Sequence, residues 1–455
     1  MVIIIAVVAV VVVAGVVAAV MLIKNDDSYK DSVFEGRLPI FGNANNDDYI
    51  DGRDVEYIQD IIDGKKTAKM YTVLDNFTDG KKLERSIADA NGDGVINQAD
   101  IDLVKKLINR ESGIRVYYIN VDNVLSSAKY PLTTAAVAYK TTYPLMVAAG
   151  LSDTVEYVCD MVGNNGDYAQ WYPMFKDCKC FGNRATPDYE IFVKEGNTPP
   201  SYLITGTKKY YAKTAEESMA SLGTDIVRLP VYENGWSVPA ALTLGVLTGK
   251  ESTIRDYVDR ADYVYNTIEE HVKNIPMDQR PFVFVNYTGT GVTDYGSGIV
   301  ETVVRAGGAT PIDRGWAKGN VDAETVALTM KPEWIILMPQ FGIFETTKGN
   351  AKETMDWDAK MFFETDKKYA QAVDHSDAYK QGKVLYYNQG VNFGPASYIT
   401  TAFIANHIYP DVFHFDVEKL FKEYVNSYFP EVDADAWYQY AFCDLEFVTD
   451  YYHNM

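Results

Sequence analysis

The stretch "TIRDYVDRADYVYNTIEEHVKNI", Thr253 to Ile275, decides how the chain is divided. Its charged and apolar residues recur at helical spacing with no Gly or Pro inside, which predicts a single long helix. Before it the pattern alternates: "IRVYYINV" reads as a strand, "TTYPLMVAAGL" as a helix closed by Gly150, and "VEYVCDMV" and "SYLITG" as further strands. After it the alternation restarts with "RPFVFVNY", "GIVETVVRAGGA", "PEWIILMP" and "KVLYYNQG". The simplest architecture is α/β, with two Rossmann-like lobes joined by one long helix: a first lobe over 114–250, the helix within 251–276, and a second lobe with tail over 281–455.

Ahead of the lobes lie two acidic loops. In "DANGDGVINQAD", Asp89, Asn91, Asp93, Asn97 and Asp100 fall at positions 1, 3, 5, 9 and 12 of an EF-hand-type loop, with Gly94 at position 6 and the Val95 carbonyl at position 7. In "NANNDDYIDGRD", Asn43, Asn45, Asp47, Asp51 and Asp54 occupy the same places, Tyr49 supplies the carbonyl, and Asp48 replaces the glycine. Each loop runs into an apolar helical pattern, "VEYIQDII" or "IDLVKKLI". Two such loops in register predict two Ca2+ sites in a small all-α domain over 42–111. Here the chain resembles the dockerin family, whose loops end in Asp, as Asp54 and Asp100 do. That resemblance implies a cohesin-like partner, but the spacer between the loops is long, and positions 10 and 11 hold Gly52-Arg53 and Gln98-Ala99 instead of hydroxyl residues. A calcium-stiffened spacer is the competing reading.

"MVIIIAVVAVVVVAGVVAAVMLI", residues 1–23, is an unbroken apolar run long enough to cross a bilayer as a helix. It lacks the basic start and short apolar core of a cleavable signal, and no cysteine follows it to accept a lipid before Cys159. It reads as an uncleaved membrane anchor, followed by a linker over 24–41. Calcium loops suit the millimolar calcium outside cells, so the bulk of the chain is expected to be extracellular.

The 455 residues are 47% hydrophobic, enough for more than one core, and carry a net charge of -21. That balance, with no basic stripe, excludes nucleic acid as a partner. Cys159, Cys178, Cys180 and Cys443 could pair in three ways outside the cell, and their spacing is not that of a zinc site. Catalysis finds no support. "TGTGVTDYGSG" lacks the Lys-Ser/Thr ending of a phosphate loop, "GSG" lacks the flanks of a nucleophile elbow, and no His stands beside a candidate Ser or Cys motif.

From about Ile114 to Pro430 several motifs occur in an order that resembles class III periplasmic-type solute-binding proteins. They are "YPLMVAAGLSDTVEYV", "PDYEIFVKEGNTPPSYLITG", "VDAETVALTMKPEWIILMP" and "QGKVLYYNQGVNFGPASYITTAFIANHIYPDVF". The resemblance implies the substrate-binding component of an ABC importer for ferric siderophores, haem or cobalamin, and an ABC permease as partner. It also implies that Glu190 in "PDYE" and Glu324 in "DAET", one on each lobe, meet permease arginines.

Open α/β sheets bind ligands at loops leaving the C-terminal ends of strands. The loops expected there are rich in aromatic residues: Tyr130, Trp171, Tyr172, Tyr232, Trp236, Tyr287, Tyr295, Phe341 and Phe393, with Lys208 as a nearby cation. Such a lining suits a flat corrinoid or haem ahead of a ferric siderophore, which would want more cations. The alternative function is a calcium-dependent surface scaffold or adhesion protein that keeps the binding fold while its calcium module does the work.

Overall fold

The computed structural model describes residues 36 to 454 apart from 79, 167, 232–235, 288–291, 294–299, 317–318, 323, 339–350, 361–374 and 393. The expected anchor, 1–23, lies outside the described residues, and among these no helix is long and apolar enough to cross a membrane.

The small N-terminal module contains α1 (Gly52–Ile62) and α2 (Gln98–Ile108), one after each acidic loop. Ile58 of α1 packs with Ile101 and Val104 of α2 in a core of their own. The module is not all-α. Its long spacer folds into an antiparallel hairpin, β1 (Tyr71–Leu74) and β2 (Lys82–Arg85), and Tyr71 and Val73 turn into a second small core with Phe41 and Ile87.

The module does not stand off from the rest of the chain. The C-terminal part of the expected linker is buried: Leu38 and Ile40 are fully enclosed, and the Phe41 N–H donates to the Tyr117 carbonyl. Tyr117 belongs to β3 (Arg115–Ile119), which pairs antiparallel with β4 (Leu125–Lys129). The "IRVYYINV" strand therefore forms a hairpin against the module instead of entering the sheet of the first lobe.

That sheet is β7-β6-β5-β8-β9, all parallel, made of β5 (Ala135–Val137), β6 (Val155–Val158), β7 (Lys179–Cys180), β8 (Tyr202–Thr205) and β9 (Asp225–Arg228). β5 and β8 are buried at every residue, as strands covered on both faces must be. Around the sheet lie α3 (Thr142–Ala148), α4 (Ala215–Met219) and α5 (Ser237–Thr248), the last enclosed on all sides. Next comes the connecting helix α6, Arg255–Val272, slightly shorter than its sequence pattern. It buries Tyr257, Val258, Ala261, Val264, Tyr265, Ile268 and Val272 along one stripe.

The second lobe has the strand order β12-β11-β10-β13-β14-β15. β10 (Val283–Tyr287), β13 (Trp334–Met338) and β14 (Val384–Tyr387) are parallel, and β11 (Val292–Thr293), β12 (Gly319–Asn320) and β15 (Phe442–Asp444) are antiparallel additions. Its helices include α7 (Glu301–Arg305), α8 (Ala351–Lys360), α9 (Asp377–Lys380), α10 (Gln389–Asn392) and α11 (Ser397–Ile408). They continue with α12 (Val417–Tyr428), α13 (Ala434–Ala441) and α14 (Leu445–His453). The tail after Pro430, which reads in sequence as one amphipathic helix, is thus a helix, an edge strand and a second helix. One continuous hydrophobic cluster runs from Leu38 and Leu107 through both lobes to Trp437.

All four cysteines are free. Cys159 lies 3.4 Å from the Tyr143 hydroxyl, and burial pushes the thiols of Cys159 and Cys178 up to about 11. At pH 8 only about one such thiol in a thousand is ionised, so Cys159 should stay unmodified when the native protein meets iodoacetamide. The unreduced, denatured chain should then titrate four thiols. A loss of two would mean a disulfide this packing does not contain.

Candidate ligand cleft and calcium loops

In both lobes the C-terminal strand ends carry small polar residues with a buried side-chain atom that lacks a partner. Thr141 and Thr142 follow β5, Thr205 ends β8 and Thr207 follows it, Asn286 lies near the end of β10, and Asn392 lies in α10 just after β14. Each is buried, and Thr141 Oγ1, Thr142 Oγ1, Thr205 Oγ1, Thr207 Oγ1, Asn286 Oδ1 and Asn392 Nδ2 have no hydrogen-bond partner among the described residues. Burying an unpaired hydroxyl or amide costs about 1–3 kcal/mol. Six such groups at one kind of position call for a ligand or ordered water. The two lobes meet there: a Cβ added at Gly394, just past Asn392, would lie 3.7 Å from the Thr141 carbonyl oxygen.

Cations flank the first-lobe wall. Arg184 lies 5.1 Å from the ring centre of Tyr139 and 5.8 Å from that of Tyr211, and these rings pack 4.3 Å apart. Half-exposed, Arg184 makes no ion pair among the described residues. Lys208 is different: its ammonium lies 3.1 Å from both Glu216 and Glu217 and 4.8 Å from the ring of Phe77, a residue of the module's hairpin. Its charge is already answered.

The expected aromatic lining is mostly elsewhere. Tyr130 precedes β5 and so sits at the N-terminal end of the sheet, opposite the cleft, and is 2% exposed. Trp171 and Tyr172 are consumed by packing between the first lobe and the tail: Trp171 lies edge-on to Trp437 at 4.7 Å, and Tyr172 edge-on to Phe429 at 6.0 Å. Trp236 directly precedes α5, and its indole N–H donates to Glu301 Oε2 of the second lobe at 2.9 Å, a bridge between lobes. Tyr287 closes β10. Tyr232, Tyr295, Phe341 and Phe393 lie outside the described residues. The strand-end Thr and Asn residues were missed in sequence. Their signal was a polar residue directly after a short apolar run, as in "YLITGT" and "VFVNY".

The two acidic loops share one hydrogen-bond pattern. Asp47 N–H donates to Asn45 Oδ1 and Asp93 N–H to Asn91 Oδ1, both at 3.0 Å; Tyr49 N–H donates to Asp47 Oδ1 and Val95 N–H to Asp93 Oδ1, both at 2.8 Å. Asp51 and Asn97 cap α1 and α2 by accepting from Arg53 N–H and Ala99 N–H, while the last carboxylates, Asp54 and Asp100, each take two backbone N–H groups. In both loops the oxygen at position 1, Asn43 Oδ1 or Asp89 Oδ1, is buried without a partner. Burial also raises the Asp54 carboxyl to about 6 and shifts Asp89 and Asp100 in the same direction, so their ionised forms gain from a nearby cation.

Each loop also has an arginine at its carboxylates: the Arg53 guanidinium lies 2.9 Å from Asp47 and 2.8 Å from Asp51 in loop one, and Arg85 Nε lies 3.9 Å from Asp89 in loop two. Asparagines fill other positions. Accordingly, among the described residues no three His, Cys, Asp or Glu side chains form a metal cluster. The donors are all oxygens, which suits a hard cation such as Ca2+.

Glu190 and Glu324 are both exposed, Glu190 in a short turn of helix at Tyr189–Val193 and Glu324 just before the helical turn Thr325–Met330.

The fold has known counterparts. The TroA-like periplasmic binding protein FepB from Veillonella parvula superposes with a TM-score of 0.51 at 14% identity, over 69% of this chain and 96% of that one. An ABC transporter solute binding protein from Sulfurospirillum deleyianum gives 0.50 at 16% identity, over 71% and 98%. A periplasmic solute binding protein from Veillonella parvula gives 0.50 at 14% identity, over 72% and 97%. No protein-family model and no curated protein matches the chain. The chain has the periplasmic-binding-protein fold.

Proposed function

We propose that the chain is the solute-binding component of an ABC importer, a binding protein and not an enzyme, which captures an oxygen-rich anionic metal chelate of the ferric-siderophore kind between its lobes. The six partnerless polar groups at the strand ends carry this reading. Hydroxyls donate to anionic oxygens, and Arg184 is available to pair with them. Corrinoid or haem, which comes first on the sequence alone, moves to second because Tyr130, Trp171 and Tyr172 are taken up by packing. Glu190 and Glu324 are the residues that would meet the permease, and residues 1–23 would hold the receptor at the outer face of the membrane.

Two Ca2+ ions belong to the same reading. Asn43, Asn45, Asp47, Asp51, Asp54 and the Tyr49 carbonyl would hold one, and Asp89, Asn91, Asp93, Asn97, Asp100 and the Val95 carbonyl the other. The buried partnerless oxygens of Asn43 and Asp89 support this. Bound calcium supplies positive charge that ties the start of each helix to its loop.

The test is a tryptophan-fluorescence titration of residues 25–455 in calcium buffer with a ferric trihydroxamate, haem and a cobalamin. Saturable submicromolar binding of the ferric chelate is expected, and Arg184→Ala should weaken it about tenfold or more. Tighter binding of haem or cobalamin would restore the tetrapyrrole reading. Silence from all three would remove the receptor reading.

A further inference from the structure

The first acidic loop is fastened to the helix that joins the lobes. Asp48 stands where such a loop has glycine, and its carboxylate takes the Arg37 guanidinium. Arg37 reaches at the same time to Asp262 of α6, with Nη2 2.9 Å from Asp262 Oδ2. From the start of α6, Arg255 donates to the Asp48 carbonyl at 2.7 Å and covers the Tyr49 ring at 4.0 Å. Positions 6 and 7 of the loop are thus tied to two points on α6, two turns apart. Tyr49 is also the residue whose carbonyl would face the ion.

Farther along, α6 touches the second lobe: the Tyr265 hydroxyl lies 3.2 Å from that of Ser397, and Arg305 lies 4.9 Å from the Tyr265 ring. Among the described residues the second acidic loop has no such link. Its position 6 is Gly94, and it leans on β3, where a Cβ added at Gly92 would lie 3.1 Å from the Tyr117 ring.

We propose that calcium in the first loop regulates ligand capture by setting how α6 is held. The proposal rests on the calcium and receptor readings above. The Arg53 guanidinium lies against Asp47 and Asp51; an ion held by the loop would compete for both carboxylates and shift the Asp48-Tyr49 segment that grips Arg37 and Arg255. Two sites that act on one element are coupled, and the coupling is reciprocal: calcium tightens ligand binding by the factor by which ligand tightens calcium.

The experiment measures amide hydrogen exchange on the full chain in detergent, with calcium and with EGTA, and counts bound calcium by calorimetry. Expected are two ions, and exchange at 255–262 faster by about fivefold or more without calcium. The double variant Asp48→Gly with Arg255→Ala should still take up two ions, yet exchange at 255–262 equally with and without them. Absence of bound calcium, or exchange at 255–262 that ignores calcium in the unaltered chain, overturns the proposal. The unaltered chain decides the question even if the variant fails to fold. Exchange needs no ligand, so failure of all three chelates to bind would sink the receptor reading separately. If the ferric trihydroxamate binds, its affinity should fall about fivefold in EGTA in the unaltered chain and not in the variant; an equal affinity in both buffers overturns the regulatory role.

Discussion

Arg228→Ala lowers the unfolding free energy by about 3–5 kcal/mol, as expected when one member of a buried ion pair is removed. Arg228 ends β9 and is 1% exposed. Its Nε and Nη2 lie 2.6 and 3.0 Å from the two Glu216 oxygens, Nη1 donates to the carbonyls of Gly206 and Tyr211 at 3.0 Å each, and Nη2 donates to that of Ala212 at 2.8 Å. Alanine leaves Glu216 with Lys208 as its one remaining cation among the described residues, and three carbonyls to find new partners. They belong to the loop that carries Thr207 and Tyr211, so ligand affinity should fall with stability.

The same pair predicts a pH dependence. Burial would raise the Glu216 carboxyl, but the Arg228 guanidinium outweighs it and holds the group below the usual carboxylate range. A depressed carboxylate contributes stability above its unfolded value, about 4.5, and loses it as pH falls through the folded value. Urea midpoints of the unaltered chain and the Arg228→Ala variant should therefore differ widely at pH 7 and converge in acid. A gap under about 1 kcal/mol at pH 7 would show that the network re-forms without the guanidinium.

Trp437→Ala should cost about 3–5 kcal/mol and weaken ligand binding as well. Trp437 is 6% exposed in α13 of the tail, and its edge contact with Trp171 joins the two lobes far from α6 in sequence. Losing the ring opens a cavity on that seam and frees one lobe from the other. Calorimetry should show the single transition of the unaltered chain splitting in two. A cycle with Trp171→Ala should give a coupling of about 0.5–1.5 kcal/mol, as for other aromatic pairs. Additive losses would mean that each ring packs independently.

The long helix, most parallel strands and both acidic loops were legible because their signals are local: an uninterrupted 3.6-residue period, apolar runs, and oxygen donors on alternate residues. Errors began where partners decide. "IRVYYINV" has the composition of a sheet strand, whereas the true first strand, "AAV", is too short and too uniformly buried to show alternation. Taking the wrong strand put Tyr130 at the cleft. Trp171 and Tyr172 were misplaced because an aromatic loop residue looks alike in sequence whether it meets a ligand or the far end of the chain. The Thr and Asn residues were passed over because lacking a partner is a property of the fold, invisible in residue type.

β15 carries a consequence for how the protein is made. Its pairing with β14, Leu385 to Asp444 and Tyr387 to Phe442, covers one side of a buried central strand with residues near the very end of the chain. A polypeptide emerging amino-terminus first builds the first lobe and α6 while that side of β14 is still bare. Until Phe442 arrives, the unfinished lobe offers the short apolar edge of β14 to any neighbouring nascent chain. Chaperones must therefore shield the second lobe through the last stage of synthesis, and chains cut short before Phe442 should be recovered as aggregates, not as a weakened folded protein.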